Sequence, residues 1–162
     1  MKDLEPPEIH FVNAAQGWLE LNNPAEAQAE LDQVTDFKSH LIVMDLQWRI
    51  YAAIKAWEKA VDTAAETTTT HPNAPFGWIH LAYALHEMQK PAEAYEVLKP
   101  VLDRFPKEWL MRYNMACYAV QMGRIDEGKS WLARANEIGD KKELAELFAT
   151  DPDLAPLRKA SR

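Results

Sequence analysis

The chain has 162 residues, 48% of them hydrophobic, which predicts one folded domain of ordinary size rather than a disordered segment. Acidic residues outnumber Lys and Arg by 25 to 18, and this net charge of −7 argues against a protein that works on nucleic acid or on an anionic membrane surface. The single cysteine, Cys117, excludes a disulfide framework within the chain and a cysteine-based zinc site.

The N-terminal residues, Met1 to Pro7, have neither the apolar core nor the small-residue cleavage site of a secretion signal. No run of residues approaches the roughly eighteen apolar positions that a membrane-spanning helix needs. We therefore expect no membrane insertion. A cytoplasmic location agrees with the lone thiol.

Local signals along the chain predict helices and their ends. Asn23 followed by Pro24 is typical of a helix N-terminus. The β-branched run Thr67 to Thr70 predicts a frayed helix end, and Pro100 predicts a kink in a later helix. Gly123 marks a turn between two helices.

The segment between Ala52 and Trp57 contains neither glycine nor proline, so its turn has no comparable signal. Beyond residue 140, Leu144, Leu147 and Phe148 recur at helical spacing and predict a helix with one apolar face turned inward. We expect Asp153 to cap a short final turn that carries two leucines.

Internal repetition is the strongest pattern in the sequence. A small residue recurs every 33 or 34 positions, and two further columns keep the same spacing. The three columns are Ala27, Ala60, Ala94 and Gly128; Leu31, Ala64, Leu98 and Leu132; and Ala15, Trp48, Ala82 and Ala116. A period of about 34 with small residues in fixed columns predicts paired helices in close contact, stacked as a solenoid.

The third repeat shows this pattern best, as Trp78-x-x-Leu81-Ala82-x-x-Leu85, then Ala94-x-x-x-Leu98, then Pro106. These residues resemble the tetratricopeptide repeat (TPR) family. The resemblance implies an all-α fold: a right-handed α-solenoid of paired antiparallel helices, here called the A and B helices of each repeat. We expect one TPR domain over residues 1–162, with units at about 8–40, 41–74, 75–108 and 109–140 and a C-terminal capping helix within 141–162.

The second repeat, at about 41–74, departs from the family pattern at Trp48, where a small residue is usual. A closer resemblance, to a group of short bacterial TPR proteins, rests on the segments 46–52, 77–80, 113–118 and 151–157. It implies no enzymatic activity.

The sequence contains no arrangement of residues that is typical of catalysis. His80 and His86 would lie about 120° apart around one helix, which does not match a helical zinc pair. Cys117 and His86, on neighbouring A helices, could approach each other as a nucleophile pair, but we interpret Cys117 as a structural or groove-lining thiol. No motif marks an orienting group or an oxyanion hole for a nucleophile pair. We therefore expect no enzyme activity, no metal site and no cofactor.

A second, mostly apolar face on each A helix is the candidate binding site. The resemblance implies that this face lines a concave groove where TPR proteins bind peptides. The candidate groove residues are Ile42, Asp45, Arg49, Phe76, Ile79, Tyr83, His86, Leu110, Tyr113 and Cys117. The alternative is that neighbouring A helices, or the chain's own tail, cover this face.

The sequence predicts a non-catalytic interaction module or scaffold that binds a largely apolar peptide or helix. We expect the partner to offer a carboxylate or carbonyl oxygen to Arg49. The residues of the carboxylate clamp, with which some TPR proteins hold acidic chaperone tails, are missing at the corresponding positions. The alternative function is a small secretion-type TPR chaperone that sequesters apolar client segments. The identity of the protein or peptide partner and the oligomeric state stay open.

Overall fold

A computed structural model describes residues 4–160, which form helices and turns without any strand. The α-helices are α1 (Glu8–Glu20), α2 (Pro24–Leu31), α3 (Leu41–Ala53), α4 (Trp57–Thr70), α5 (Pro75–Glu87), α6 (Pro91–Leu98), α7 (Trp109–Gln121), α8 (Ile125–Ile138), α9 (Lys141–Thr150) and α10 (Ala155–Ala160). Short 3₁₀ helices occupy Phe37–Ser39, Lys99–Arg104 and Pro152–Leu154. The prediction of an all-α fold is confirmed.

Helices that follow each other in the chain pack as pairs: α1 on α2, α3 on α4, and α7 on α8. The contacts divide the chain into two compact units, which meet in sequence between Ala84 and Leu85 within α5. We call them the first and the second unit and describe each by itself. The expectation of a single domain stays a prediction.

The core of the first unit is built around the small-residue columns. Ala15 and Ala27 are fully buried where α1 and α2 meet, with larger aliphatic residues around them. Trp48 occupies the position where the repeat pattern favours a small residue, and it is buried as well. Its neighbours in the core include Ala60 and Ala64 of α4. These small side chains leave room for the indole ring, which explains how the repeat tolerates it.

In the second unit, Gly128 shows how closely two helices approach. A Cβ atom at this position would lie 2.6 Å from Cγ2 of Val120 and 3.2 Å from the carbonyl oxygen of Ala116. Ala94, from the same column, is fully buried on α6. The small residues are therefore required by the packing of one helix against the next.

The A helices of the four repeats are α1, α3, α5 and α7, and the B helices are α2, α4, α6 and α8. Each turn between an A helix and its B helix contains one residue with positive φ. These residues are Asn22, Lys55, Gln89 and Gly123, with φ of 56°, 56°, 61° and 76°. In each turn the following N–H bonds to the carbonyl five residues earlier, as from Ala56 to Tyr51 at 2.8 Å and from Arg124 to Ala119 at 2.9 Å. This is the Schellman pattern of helix ends. The second turn, which had no sequence signal, therefore has the same geometry as the other three.

The predicted fraying at Thr67 to Thr70 is wrong. Helix α4 continues to Thr70. The hydroxyls of Thr67 and Thr70 donate to the carbonyl oxygens of Thr63 and Glu66, at 2.8 and 2.9 Å. Because each hydroxyl finds its acceptor one turn earlier in the same helix, the run does not compete with the helical backbone.

Pro100 changes the type of helix. Helix α6 ends at Leu98, and the chain continues as a 3₁₀ helix over Lys99–Arg104. The missing N–H of proline interrupts the α-helical bonding at this point. The predicted disturbance is present, but as a tightened turn that prolongs the helix.

Helix α9 has the predicted inward face only in part. Leu144 is buried and Phe148 is half-buried, whereas Leu147 is exposed. Asp140 caps this helix by accepting from the N–H groups of Lys142 and Glu143, both at 2.9 Å.

Candidate functional site

The candidate groove residues of the first unit lie on α3 and on the first part of α5. Ile42 and Tyr83 are exposed, and the other four are half-buried: Asp45, Arg49, Phe76 and Ile79. The two helices are joined by an aromatic contact, since the rings of Trp48 and His80 stack at 3.8 Å. The exposed part of this surface is therefore built on a buried and well-packed base.

A cavity of about 440 Å³ opens beside Arg49 in the first unit. Trp48, Trp57 and Tyr83 form its aromatic walls, and Tyr83 meets both indole rings edge-on at about 6 Å. The remaining lining residues are Leu19, Ala52 and Ala53. We call this cavity the aromatic pocket. Neither Leu19 nor Trp57 was among the candidate groove residues predicted from the sequence.

Arg49 is the charged residue of the aromatic pocket. Its side chain is 40% exposed, and its guanidinium lies 3.8 Å from the carboxylate of Asp45, one helical turn earlier. This distance is longer than a hydrogen bond, so the pair holds Arg49 only weakly. Both residues were among the candidate groove residues predicted from the sequence.

His80 lies 3.8 Å from the other oxygen of Asp45. Burial, and secondarily the charge of Arg49, lower the pKa of His80 to about 4. The imidazole is therefore uncharged at neutral pH, and its contact with Asp45 is not an ion pair. Burial also raises the pKa of Asp45, while Arg49 acts in the opposite direction.

In the second unit, the C-terminal segment of the chain covers the corresponding face of α7. We call residues 151–154 the tail segment. Asp151 accepts hydrogen bonds from the Tyr113 hydroxyl at 2.9 Å and from the Cys117 thiol at 3.5 Å. Leu154 follows in the tail segment and is completely buried.

Asp153 makes the second set of contacts, with Nε2 of His86 at 2.7 Å and Nε2 of Gln121 at 3.0 Å. It does not cap the final turn as predicted. That role belongs to Asp151, whose Oδ1 accepts from the Asp153 N–H at 2.9 Å. The carboxylate of Asp153 is turned instead toward side chains of two helices.

Three candidate groove residues therefore contact the chain's own tail. Tyr113 and Cys117 are only 3% and 5% exposed, and His86 is half-buried. Leu110, the fourth candidate residue of this unit, is also half-buried. In the second unit, therefore, the chain's own tail covers part of the A-helix face, as the alternative interpretation of the sequence stated. A role of these residues in partner binding stays a prediction.

The tail contact also governs the chemistry of Cys117. Burial, followed by the charges of Asp151 and Asp153, strongly raises the pKa of its thiol. A thiol held in its protonated form is a poor nucleophile. His86 bonds to the tail through Asp153, whereas Cys117 bonds to it through Asp151.

One group of potential metal ligands occurs between residues 4 and 160. Cys117, Asp151 and Asp153 place one ligand atom each within 4.8 Å of one another. The two carboxylates already accept hydrogen bonds from protein side chains. We interpret the group as a network that fastens the tail segment.

The chain matches no family model and no curated protein. Its structure does match solved ones. The crystal structure of MamA matches with a TM-score of 0.70 at 14% identity, over 90% of this chain and 77% of that chain. YrrB, described as a TPR protein with an unusual peptide-binding site, matches with a TM-score of 0.65 at 14% identity, over 94% and 83%.

A MamA RS-1 ArsTM double mutant matches with a TM-score of 0.69 at 15% identity, over 98% of both chains. The fold is that of a tetratricopeptide-repeat protein. At these identities the likeness shows the α-solenoid fold and leaves the ligand open. Within residues 4–160, no helix has the length and apolar character that crossing a membrane requires.

Proposed function

We propose that this TPR protein is a non-catalytic interaction module that binds a largely apolar peptide or helix on the A-helix face of its first unit. The aromatic pocket is the observation that carries this proposal. It combines an exposed tyrosine and two tryptophans with one cation, which is a composition typical of binding hot spots. The peptide-binding site named for YrrB supports the same use of the fold.

A binding role also agrees with the state of the reactive side chains. The thiol of Cys117 is buried and protonated, and His80 is uncharged and stacked on Trp48. Neither group is prepared for nucleophilic or acid–base chemistry at neutral pH. We place the module in the cytoplasm, where its lone thiol stays reduced.

The test is a pull-down from native lysate followed by calorimetric titration of the partner that it returns. Tyr83→Ala should weaken binding by about 1–3 kcal/mol, because truncating an aromatic anchor removes much of the contact energy. Leu147→Ala, at an exposed apolar residue of α9, is the matched control. If Tyr83→Ala and Ile42→Ala both leave affinity unchanged while helicity is intact, the first-unit face is not the binding site.

The alternative function, a secretion-type chaperone, draws support from other exposed apolar residues of the first unit. Leu21 and Ile54 are large, exposed and outside the predicted groove. A chaperone would use such residues to cover apolar client segments. Co-purification with a membrane-active client, together with loss of binding in Leu21→Ser and Ile54→Ser, would favour this function.

A further inference from the structure

We propose that the aromatic pocket binds one carboxylate and an adjacent aliphatic side chain from an acidic, leucine-containing segment of a partner protein, with Arg49 as the counter-ion of the carboxylate. This inference rests on the proposed function and names the chemistry of its ligand. It is argued from the pocket itself and from the way the second unit holds its own tail.

The pocket has one charged wall among apolar ones. Arg49 is the only ionised residue that lines it, beside tryptophan, tyrosine, leucine and alanine side chains. A guanidinium offers five N–H donors in a planar fork that matches a carboxylate, so Arg49 can keep its loose contact with Asp45 and still accept a ligand.

In the second unit, the residues that correspond to those of the aromatic pocket contact the tail segment. Tyr113 is one of four side chains that fasten the tail segment there, and its counterpart in the first unit, Asp45, is not a lining residue of the pocket. The other three are His86, Cys117 and Gln121. Counted along the repeat, the same positions in the first unit are held by Leu19, Arg49 and Ala53. All three of these line the aromatic pocket. The pocket is thus the first-unit counterpart of the tail-binding site.

The exchanged residues indicate how the ligand differs from the tail. Cys117, which meets Asp151 through a weak thiol donor, is replaced by Arg49, a strong and charged donor. Polar His86 and Gln121, which hold Asp153, are replaced by apolar Leu19 and Ala53. The pocket therefore suits one carboxylate rather than two, together with an apolar side chain like that of the buried Leu154.

The test uses a fluorescein-labelled peptide with the sequence of residues 149–158, ATDPDLAPLR, titrated with the full chain and followed by fluorescence polarisation. We expect saturable binding that weakens as ionic strength rises. Replacing both aspartates of the peptide by asparagine, or its first leucine by serine, should weaken binding at least tenfold. A peptide that binds equally well without its carboxylates would overturn the inference.

Protein variants locate the site. Arg49→Met keeps most of the aliphatic stem and removes the charge, and it should weaken binding at least tenfold, whereas Arg134→Met, at an exposed arginine of α8, should not. Ala53→Trp fills the pocket from an exposed position and should have the same effect as Arg49→Met. Circular dichroism confirms that each variant is folded.

Three outcomes decide against the inference. If Gln121→Ala and His86→Ala abolish peptide binding while Arg49→Met does not, the peptide replaces the tail on α7. If the chain associates with itself at the concentrations used and Arg49→Met dissolves the complex, the occupant is a second copy. If no peptide binds while a lysate partner binds in a Tyr83-dependent way, this inference fails and the proposed function stands.

Discussion

Burial changes the chemistry of individual side chains in both units. In the second unit it raises the pKa of the Cys117 thiol, and the carboxylates of Asp151 and Asp153 add to this effect. In the first unit it lowers the pKa of His80 to about 4. Both side chains therefore stay uncharged at neutral pH. The state of Cys117 can be tested by replacing a neighbouring carboxylate, and that of His80 by changing the pH.

The thiol of Cys117 should react slowly in the native protein. Asp151→Asn removes a charge and loosens the tail contact, so we expect alkylation by N-ethylmaleimide at pH 8 to become at least tenfold faster. Asp126→Asn, at a fully exposed carboxylate of α8, is the matched control. Equal rates in all three proteins would show that the tail segment does not shield the thiol.

His80 should make stability dependent on pH. Its folded-state pKa of about 4 lies below the unfolded value of 6.5. The unfolded state therefore binds more protons between these values, and the free energy of unfolding falls as the pH drops from 6.5 toward 4. From pH 7 to pH 5, urea unfolding of wild type should lose roughly 1–2 kcal/mol more than that of His80→Phe.

The phenyl ring in His80→Phe preserves the stacking partner of Trp48 and removes the titrating group. The control variant His10→Gln changes an exposed histidine of α1 and should keep the wild-type pH dependence. If wild type and His80→Phe lose the same free energy of unfolding, another group is responsible for the dependence.

At the scale of helices, the four turns between A and B helices follow one backbone pattern with four different residues. Only the fourth turn has glycine at the position of positive φ, while Asn22, Lys55 and Gln89 adopt the same left-handed conformation. The repeat of the hydrogen bonds shows that the helix-end geometry, rather than the residue type, is common to the turns. Glycine lowers the conformational energy of such a turn.

Gly123→Ala should lower the free energy of unfolding by about 1 kcal/mol, because a Cβ atom is unfavourable at positive φ. The matched control is Gly17→Ala inside α1, where no atom lies within 4 Å of an added Cβ. It should raise the free energy of unfolding by about 0.5–1 kcal/mol, since alanine favours helix. Denaturant unfolding measures both. The two substitutions should change the free energy of unfolding in opposite directions, and a stabilising Gly123→Ala would contradict the turn geometry.

The success of helix prediction differed between helix ends, depending on whether the local sequence contained a capping or turn residue. The capping role of Asn23 is confirmed by its contact with the Glu26 N–H at 3.4 Å. Thr67 to Thr70 misled the prediction because propensity does not record that each hydroxyl has an acceptor within its own helix. The Lys55 turn had no signal because lysine rarely adopts positive φ, and the helix ends on both sides impose it.

At the scale of the whole molecule, the C-terminal segment serves as part of the second unit rather than as an appendage. Leu154 and Leu157 are buried, and Arg158 donates to the carbonyl oxygens of Phe148 and Asp151 at 2.5 and 2.7 Å. The carboxylate contacts hold the tail segment against α7. The Arg158 bonds join α10 to the end of α9 and to the tail segment. The tail segment thus covers the part of the A-helix face of α7 that carries Tyr113 and Cys117.

Removing residues 151–162 should expose the apolar face of α7 and cause self-association. Tyr113 and Cys117 lose their cover in this variant, and an uncovered apolar face of a terminal repeat promotes association. Sedimentation and thermal unfolding measure the effect, with wild type as the reference. A truncated chain that stays monomeric and equally heat-stable would contradict the capping role.

The sequence by itself determined the paired helices and their buried columns. Small residues at a spacing of 33 or 34 leave one way for each A helix to meet its B helix, and Ala27, Ala60 and Ala94 are all fully buried. These features can be predicted from sequence because the A and B helices of one repeat are neighbours in the chain. The spacing of their buried small residues is therefore visible as a period.

Only the tertiary structure decided what covers the A-helix face. The contact between His86 and Asp153 joins residues 67 positions apart, and that between Tyr113 and Asp151 joins residues 38 apart. A periodic pattern describes which residues share a face, but it does not record which distant segment lies on that face. The tail segment and the aromatic pocket therefore became visible only once the helices were packed, since both are made by side chains from separate helices.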